Sequence, residues 1–219
     1  MLASSCSSPR DQGTANFAVL EKKLARVVAE EAARHPDTPV AIFATDEHRI
    51  GLKPITRRVR APRGERPVAL GHHRYEWLYV TAFVQPTSGE TFWYLSNGVS
   101  KPFFEKPLAT FAAEAGAGAG AGRQRRIVLV LDNAGWHTEP GLAVPDGIRL
   151  VYLPRYSPEL QPAECLWPLL DEPLVNRHFA TLDEVDRVVA RRCLDLDADP
   201  ASVKARTHFH WWPKPCQPA

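Results

Sequence analysis

Three carboxylates stand where the chain changes character, and each has a neighbour of a kind that phosphate chemistry uses. Asp46 closes the apolar run at 40–46 (VAIFATD). Asp132 follows directly on the apolar run at 127–131 (IVLVL), with Asn133 next and His137 five residues on. Glu164 sits in the first turn of a helix introduced by SPELQP at 157–162. Alone, each has an ordinary role: an Asp at a strand end forms a turn or caps the next helix, and a Glu in a first turn suits the helix dipole. Together they say more. In open α/β sheets sites form beyond the carboxyl ends of strands, so Asp46 and Asp132 can lie side by side, and a helix entering there adds Glu164. Three carboxylates in close company repel unless one keeps its proton or a hard divalent cation joins them. Two such ions about 4 Å apart activate a hydroxyl on one side of a phosphorus and stabilise the leaving oxygen on the other. The constellation implies phosphodiester chemistry.

The elements that must position these groups are readable from periodicity. Residues 16–35 predict a helix, with Phe17, Leu20, Leu24, Val27 and Val28 on one face and Pro36 as its stop. The run at 40–46 predicts a buried strand, with a continuation through Ile50 to Leu52. Residues 77–84 and 91–95, aromatic and β-branched on either side of a Pro/Gly turn, predict a hairpin. Residues 100–115 predict a helix with a kink or late start at Pro107. The run at 127–131 suits a central parallel strand covered on both faces, and 148–153 a further strand. Pro162 to Leu170 predicts a short helix interrupted by Pro168, and 181–194 a firmer one opened by a Thr181/Glu184 capping box. The Ala-Gly alternation at 115–122 reads as a flexible surface connection. The segment after Asp199, rich in Pro and Trp, has no evident assignment. The order is that of a mixed α/β domain, antiparallel strands first and parallel crossovers later.

Three blocks carry a resemblance to a known family. TDEHRIGL at 45–52, DNAGWH at 132–137 and LPRYSPELQPAECLW at 153–167 resemble, in that order, the catalytic blocks of DDE transposases, with the insertion sequence 630 group of the mariner superfamily as the best match. The third block is the specific one, and 31 residues separate Asp132 from Glu164, close to the family's spacing. The resemblance spans about residues 38 to 190. It implies an RNase H-like fold, a five-stranded mixed sheet flanked by helices. It makes Asp46, Asp132 and Glu164 the catalytic, metal-binding triad for two Mg²⁺ (or Mn²⁺) ions. It implies cleavage of DNA at transposon ends, followed by attack of the freed 3′-hydroxyl on target DNA. Asn133 and His137 match positions near the second Asp, where they either contact the scissile phosphate or hold the loop. Strand alternation turns Glu47 away from the triad. Trp136 suits stacking on bases, and Trp167 suits core packing.

Composition bounds the partners. The chain has 219 residues, with 27 Lys and Arg against 25 Asp and Glu. That balance excludes a histone-like binder but conceals a basic segment: residues 53–75 hold seven basic residues against Glu65. Arg57, Arg58, Arg60, Arg63 and Arg66 are therefore the candidate phosphate contacts. The four cysteines are widely spaced and read as reduced thiols of a cytoplasmic protein, nucleoid-associated when on DNA in the bacterial setting that the resemblance implies. No run approaches the ~20 apolar residues of a membrane span, and the first ten residues lack the apolar stretch of a secretory signal.

The expected organisation is an N-terminal arm and helix at 1–37, a catalytic domain at 38–198 and a tail at 199–219. About 40 residues with one clear helix precede the first catalytic strand, too few for the helix-turn-helix module that reads transposon ends in related enzymes. Either a separate helix-turn-helix polypeptide supplies recognition, with the chain working as a homodimer on DNA, or the chain is a truncated, non-catalytic remnant that binds DNA or a full-length transposase. A nuclease of RNA–DNA hybrids is the third reading.

Overall fold

The computed structural model describes residues 12–64, 74–118, 124–138, 140–155 and 157–216. Five strands form one mixed sheet: β1 (Val40–Gly51), β2 (Trp77–Gln85), β3 (Glu90–Ser96), β4 (Arg126–Leu131) and β5 (Ile148–Tyr152), in the order β3-β2-β1-β4-β5. β1 pairs antiparallel with β2 and parallel with β4, and β4 pairs parallel with β5. This is the mixed sheet flanked by helices that the resemblance implies.

Both faces of the sheet are covered, because its central strands are apolar on both sides. One face presents Val40, Ile42, Ala44, Val128 and Val130 to the apolar stripe of α1 (Gln12–Arg34) and to α4 (Trp167–Asp171), α5 (Leu182–Asp197) and α6 (Pro200–Thr207). The other presents Ala41, Phe43, Phe83, Ile127 and Leu129 to α2 (Lys101–Glu114). Phe111 of α2 is the centre of that second layer. Its ring stacks on Phe83 at 4.1 Å and meets Phe43 and Phe92 edge-on at 5.1 and 5.2 Å.

Three sequence expectations are corrected, and the unassigned segment after Asp199 finds its place. Asp46 does not close β1, which continues to Gly51 as one strand. Its partner β2 runs the whole way, to the pair Gly51–Trp77, whereas the pairing with β4 stops at Ala44–Val130. The apolar pattern fades at Asp46 because one neighbouring strand ends there. α2 starts at Lys101 and runs without interruption past Pro107, which is buried. The Ala-Gly tract is not a surface connection at its start: Ala115 and Ala117 are buried, and Ala117 bridges Arg125. Gly118 passes so close to Gly147 (φ 89°) that a side chain on Gly147 would collide with the Gly118 backbone. Residues 119–122 of the tract lie outside the described residues. Finally, the segment after Asp199 is part of the core. Asp199 caps α6, Trp211 and Trp212 are buried, and Cys216 exchanges two backbone hydrogen bonds with Val40 at the start of β1.

The prolines around Glu164 are accommodated by position. Pro162 opens a 3₁₀ turn (Pro162–Leu166), and Pro168 stands in the first turn of α4, where its missing N–H has no helical partner to lose. The expected helix is thus a 3₁₀ turn followed by a short α-helix. Replacing Phe111 by Ala is expected to cost about 3–5 kcal/mol of folding free energy, read as a shift of the urea unfolding midpoint.

Candidate active site

Register creates the first half of the site. Ala44 of β1 is level with Val130 of β4, and two residues further on each chain come Asp46 and Asp132. A spacing of two returns to the same face of the sheet, the face bearing Ala44 and Val130. The 3₁₀ turn carrying Glu164 packs against β1 and β2 on this face. Gln161 anchors it by donating its side-chain amide to the Thr45 carbonyl at 2.8 Å. Asp46, Asp132 and Glu164 then line one cleft of about 440 Å³, together with Asn133, Leu153, Pro154, Arg155, Ser157 and Gln161.

The three carboxylates have different surroundings. Burial, and next the facing Glu164, push the Asp46 carboxyl well above the usual carboxylate range. Trp167 partly offsets this by donating its indole N–H to Asp46 Oδ2 at 2.9 Å. Burial also raises Glu164, opposed by the charge of nearby His48 and by a hydrogen bond from Asp46. Asp46 and Glu164 are thus both pushed toward the protonated form, chiefly by burial. Asp132 goes the other way. Burial would raise it, but His137 and the Ala134 N–H donate to its Oδ1 at 2.7 and 2.9 Å and hold it below the ordinary value.

His137 belongs to α3 (Gly135–Thr138), a single helical turn that follows Asp132. It is fully buried, its ring 4.3 Å from that of Phe104. Its second ring nitrogen, Nε2, faces Glu47 Oε1 at 3.1 Å. Burial alone would lower its pKa, yet hydrogen bonds to Asp132 and Glu47 raise it to about 9. Asn133 donates to the Leu153 carbonyl, tying the end of β4 to the loop after β5.

The basic segment lies apart from this cleft. Arg58, Arg60 and Arg63 are exposed, and Arg57 is committed to Glu172, with its backbone N–H on Asn176. Arg66 lies outside the described residues. Arg155 is the basic residue that lines the cleft among the described residues. Trp136 donates to Glu47 Oε2 at 3.3 Å. Trp167 packs in the core as expected, but its bond to Asp46 was not foreseen, nor was the stacking of His48 on its ring at 4.9 Å. A signal existed: Trp167 follows Glu164 by three residues, and positions three apart eclipse on a 3₁₀ turn.

The donor set suits a hard divalent cation, being carboxylate oxygen throughout. Among the described residues no three carboxylate, imidazole or thiol groups already close on one point.

A five-stranded mixed sheet thus brings three acids to one cleft: Asp46 within β1 where its pairing with β4 has ended, Asp132 just past the end of β4, and Glu164 on a following turn. The family model of the DDE superfamily endonucleases matches residues 41–186, and the chain belongs to that superfamily. The uncharacterized protein y4pE/y4sA of Sinorhizobium fredii (strain NBRC 101917 / NGR234) is 37% identical over 111 residues, 50% of this chain and 77% of that protein. Among solved structures, the Mos1 transposase paired-end complex with left transposon end matches with a TM-score of 0.50 at 13% identity, over 93% of this chain and 65% of that one. The mariner Mos1 paired-end complex with Mg matches with a TM-score of 0.53 at 14% identity, over 96% and 67%. The fold is RNase H-like, and the chain spans about two thirds of the length of these solved chains.

Two outcomes follow from the electrostatics. His137 binds its proton more firmly in the folded chain than its ordinary value of 6.5. That stabilisation is complete below about pH 6.5 and lost as pH rises through about 9. Asp46, also raised, acts in the same sense, because ionising it in place costs the folded state. The melting temperature in chelator is therefore expected to fall from pH 6.5 to about 9 by calorimetry; a flat profile would contradict the assignment. Trp167→Phe removes the donor to ionised Asp46 and is expected to raise the Asp46 pKa further, followed by carbon NMR of its carboxyl.

Proposed function

We propose that the chain is the catalytic part of an insertion-sequence transposase of the 630 group of the mariner superfamily, a metal-dependent DNA endonuclease and strand transferase. The observation that carries this reading is the convergence of Asp46, Asp132 and Glu164 on one cleft through the β1–β4 register. The membership of the DDE superfamily endonucleases supports it. Two Mg²⁺ or Mn²⁺ ions are the proposed cofactors, and transposon-end and target DNA the proposed substrates. A separate helix-turn-helix polypeptide for end recognition, a homodimer on DNA and a cytoplasmic location belong to the same proposal. Among the described residues no helix is long and apolar enough to cross a membrane.

Each residue of the cleft has a part in this reading. Asp46, Asp132 and Glu164 would hold the cations, which when bound supply activation of the attacking hydroxyl and stabilisation of the leaving oxygen. Asp132 is ready, held ionised by His137 and the Ala134 N–H. With the site loaded Asp46 would be ionised, and the Trp167 N–H would steady its Oδ2. Asn133, bonded to the Leu153 carbonyl, keeps the cleft wall in place. Arg155 at the rim offers the charge that a phosphate needs as it enters. Of the basic segment, Arg58, Arg60 and Arg63 are free to meet the DNA backbone further out, while Arg57 is engaged with Glu172.

The test is cleavage of DNA carrying the element's own ends, with Mg²⁺ or Mn²⁺ and with chelator. Metal-dependent nicking is expected, and Asp132→Asn should abolish it while leaving the circular dichroism spectrum unchanged. Mn²⁺ at a hundred times its Kd should also stabilise the folded chain by about 2.7 kcal/mol. A folded chain that neither binds Mn²⁺ nor cleaves would instead be a non-catalytic remnant.

A further inference from the structure

The Asp46-Glu47 dipeptide sends its two side chains to opposite faces of the sheet. Asp46 enters the cleft, and Glu47 enters the layer of α2 and α3 behind it. Glu47 is nonetheless connected to the cleft. Its side chain is 7% exposed, and both its oxygens are used: Oε1 faces His137 Nε2 at 3.1 Å, and Oε2 accepts from Trp136 Nε1 at 3.3 Å. The other ring nitrogen of His137 meets Asp132 Oδ1 at 2.7 Å. A carboxylate has only acceptors, so an imidazole between two of them donates from both nitrogens and carries a positive charge.

This fixes the Asp132 side chain. Both bonds to Asp132, from His137 and from the Ala134 N–H, fall on Oδ1, which leaves Oδ2 as the oxygen offered to the cleft. His137 in turn has little freedom. It is fully buried, Phe104 lies against its ring, and the Tyr152 hydroxyl donates to its carbonyl at 2.8 Å. What orients the imidazole about its own axis is the charge-assisted bond to Glu47.

We propose that Glu47 is a positioning residue for the catalytic centre, acting from the reverse face of the sheet through His137 to hold the Asp132 carboxylate in its ligating rotamer. The inference rests on the reading of Asp132 as a metal ligand. Carboxylate–imidazole pairs placed behind a metal ligand change metal affinity or activity by about 10–100-fold when broken. One dipeptide then serves the centre twice, Asp46 directly and Glu47 at one remove.

The experiment measures Mn²⁺ affinity of the full chain by titration calorimetry, with the thermal melt as a check of folding. Glu47→Ala is expected to weaken Mn²⁺ binding by about 10–100-fold. Glu47→Gln keeps an acceptor for His137 Nε2 but not the charge, and should give a smaller but measurable weakening. Trp136→Phe removes the other bond to Glu47 and leaves the His137 bond, so its affinity should stay close to that of the native chain. Glu47→Gln carries the test if Glu47→Ala does not fold: a modest weakening beside an unaffected Trp136→Phe supports the proposal. Native affinity in folded Glu47→Ala or Glu47→Gln overturns it. Equal weakening in Trp136→Phe also overturns it, since Glu47 would then merely brace the α3 turn. A native chain that binds no Mn²⁺ overturns the metal-site reading itself.

Discussion

The parallel pairing of β1 with β4 is the constraint on which the rest depends. It sets Ala44 against Val130 and stops there, so the next same-face residues, Asp46 and Asp132, emerge side by side with no ladder between them. A slip of one residue would turn one of the acids to the opposite face. The apolar residues that bury both faces of these strands are therefore also what aligns the acids. The antiparallel neighbour β2 continues past this point and keeps the Asp46 segment extended while the other side of β1 opens into the cleft.

Crowded carboxylates have to be reconciled with one another before any cation arrives, and the chain does this in two ways. Asp132 is half exposed and held ionised against a buried imidazolium. Asp46 and Glu164 are both pushed toward the protonated form by burial, with Trp167 and His48 opposing this in favour of the charged forms. The centre is thus asymmetric: one carboxylate is held ionised, and the other two would have to be ionised to hold a cation. The paired bonds of Trp167 and Gln161 keep the turn bearing Glu164 in register with β1.

Much of this was legible in the sequence, for identifiable reasons. The runs at 40–46 and 127–131 announce buried strands because neither has a polar side, and Asp46, Asp132 and Glu164 stand out because each follows an apolar or proline-marked signal. The length of β1 was not legible, since its second half pairs on one side and so loses the doubly buried pattern. Alternation correctly turned Glu47 away from the cleft but gave no sign of the imidazole that reaches back from it. The burial of the Ala-Gly tract was illegible because low complexity gives no period, and what matters there is the absence of side chains where Gly118 passes Gly147. The Trp-rich segment after Asp199 was unreadable because its aromatics fill gaps between α1 and the sheet without any helical or strand period.

The pairing of Val40 with Cys216 bears on how the molecule comes into being. The first residue of the central strand exchanges its backbone hydrogen bonds with a residue far along the chain. Trp212, in the same segment, is buried in the core. Long-range closures of this kind come late and slowly in folding. The strand that carries Asp46 is therefore completed by a contact that spans most of the chain, at the slow end of folding.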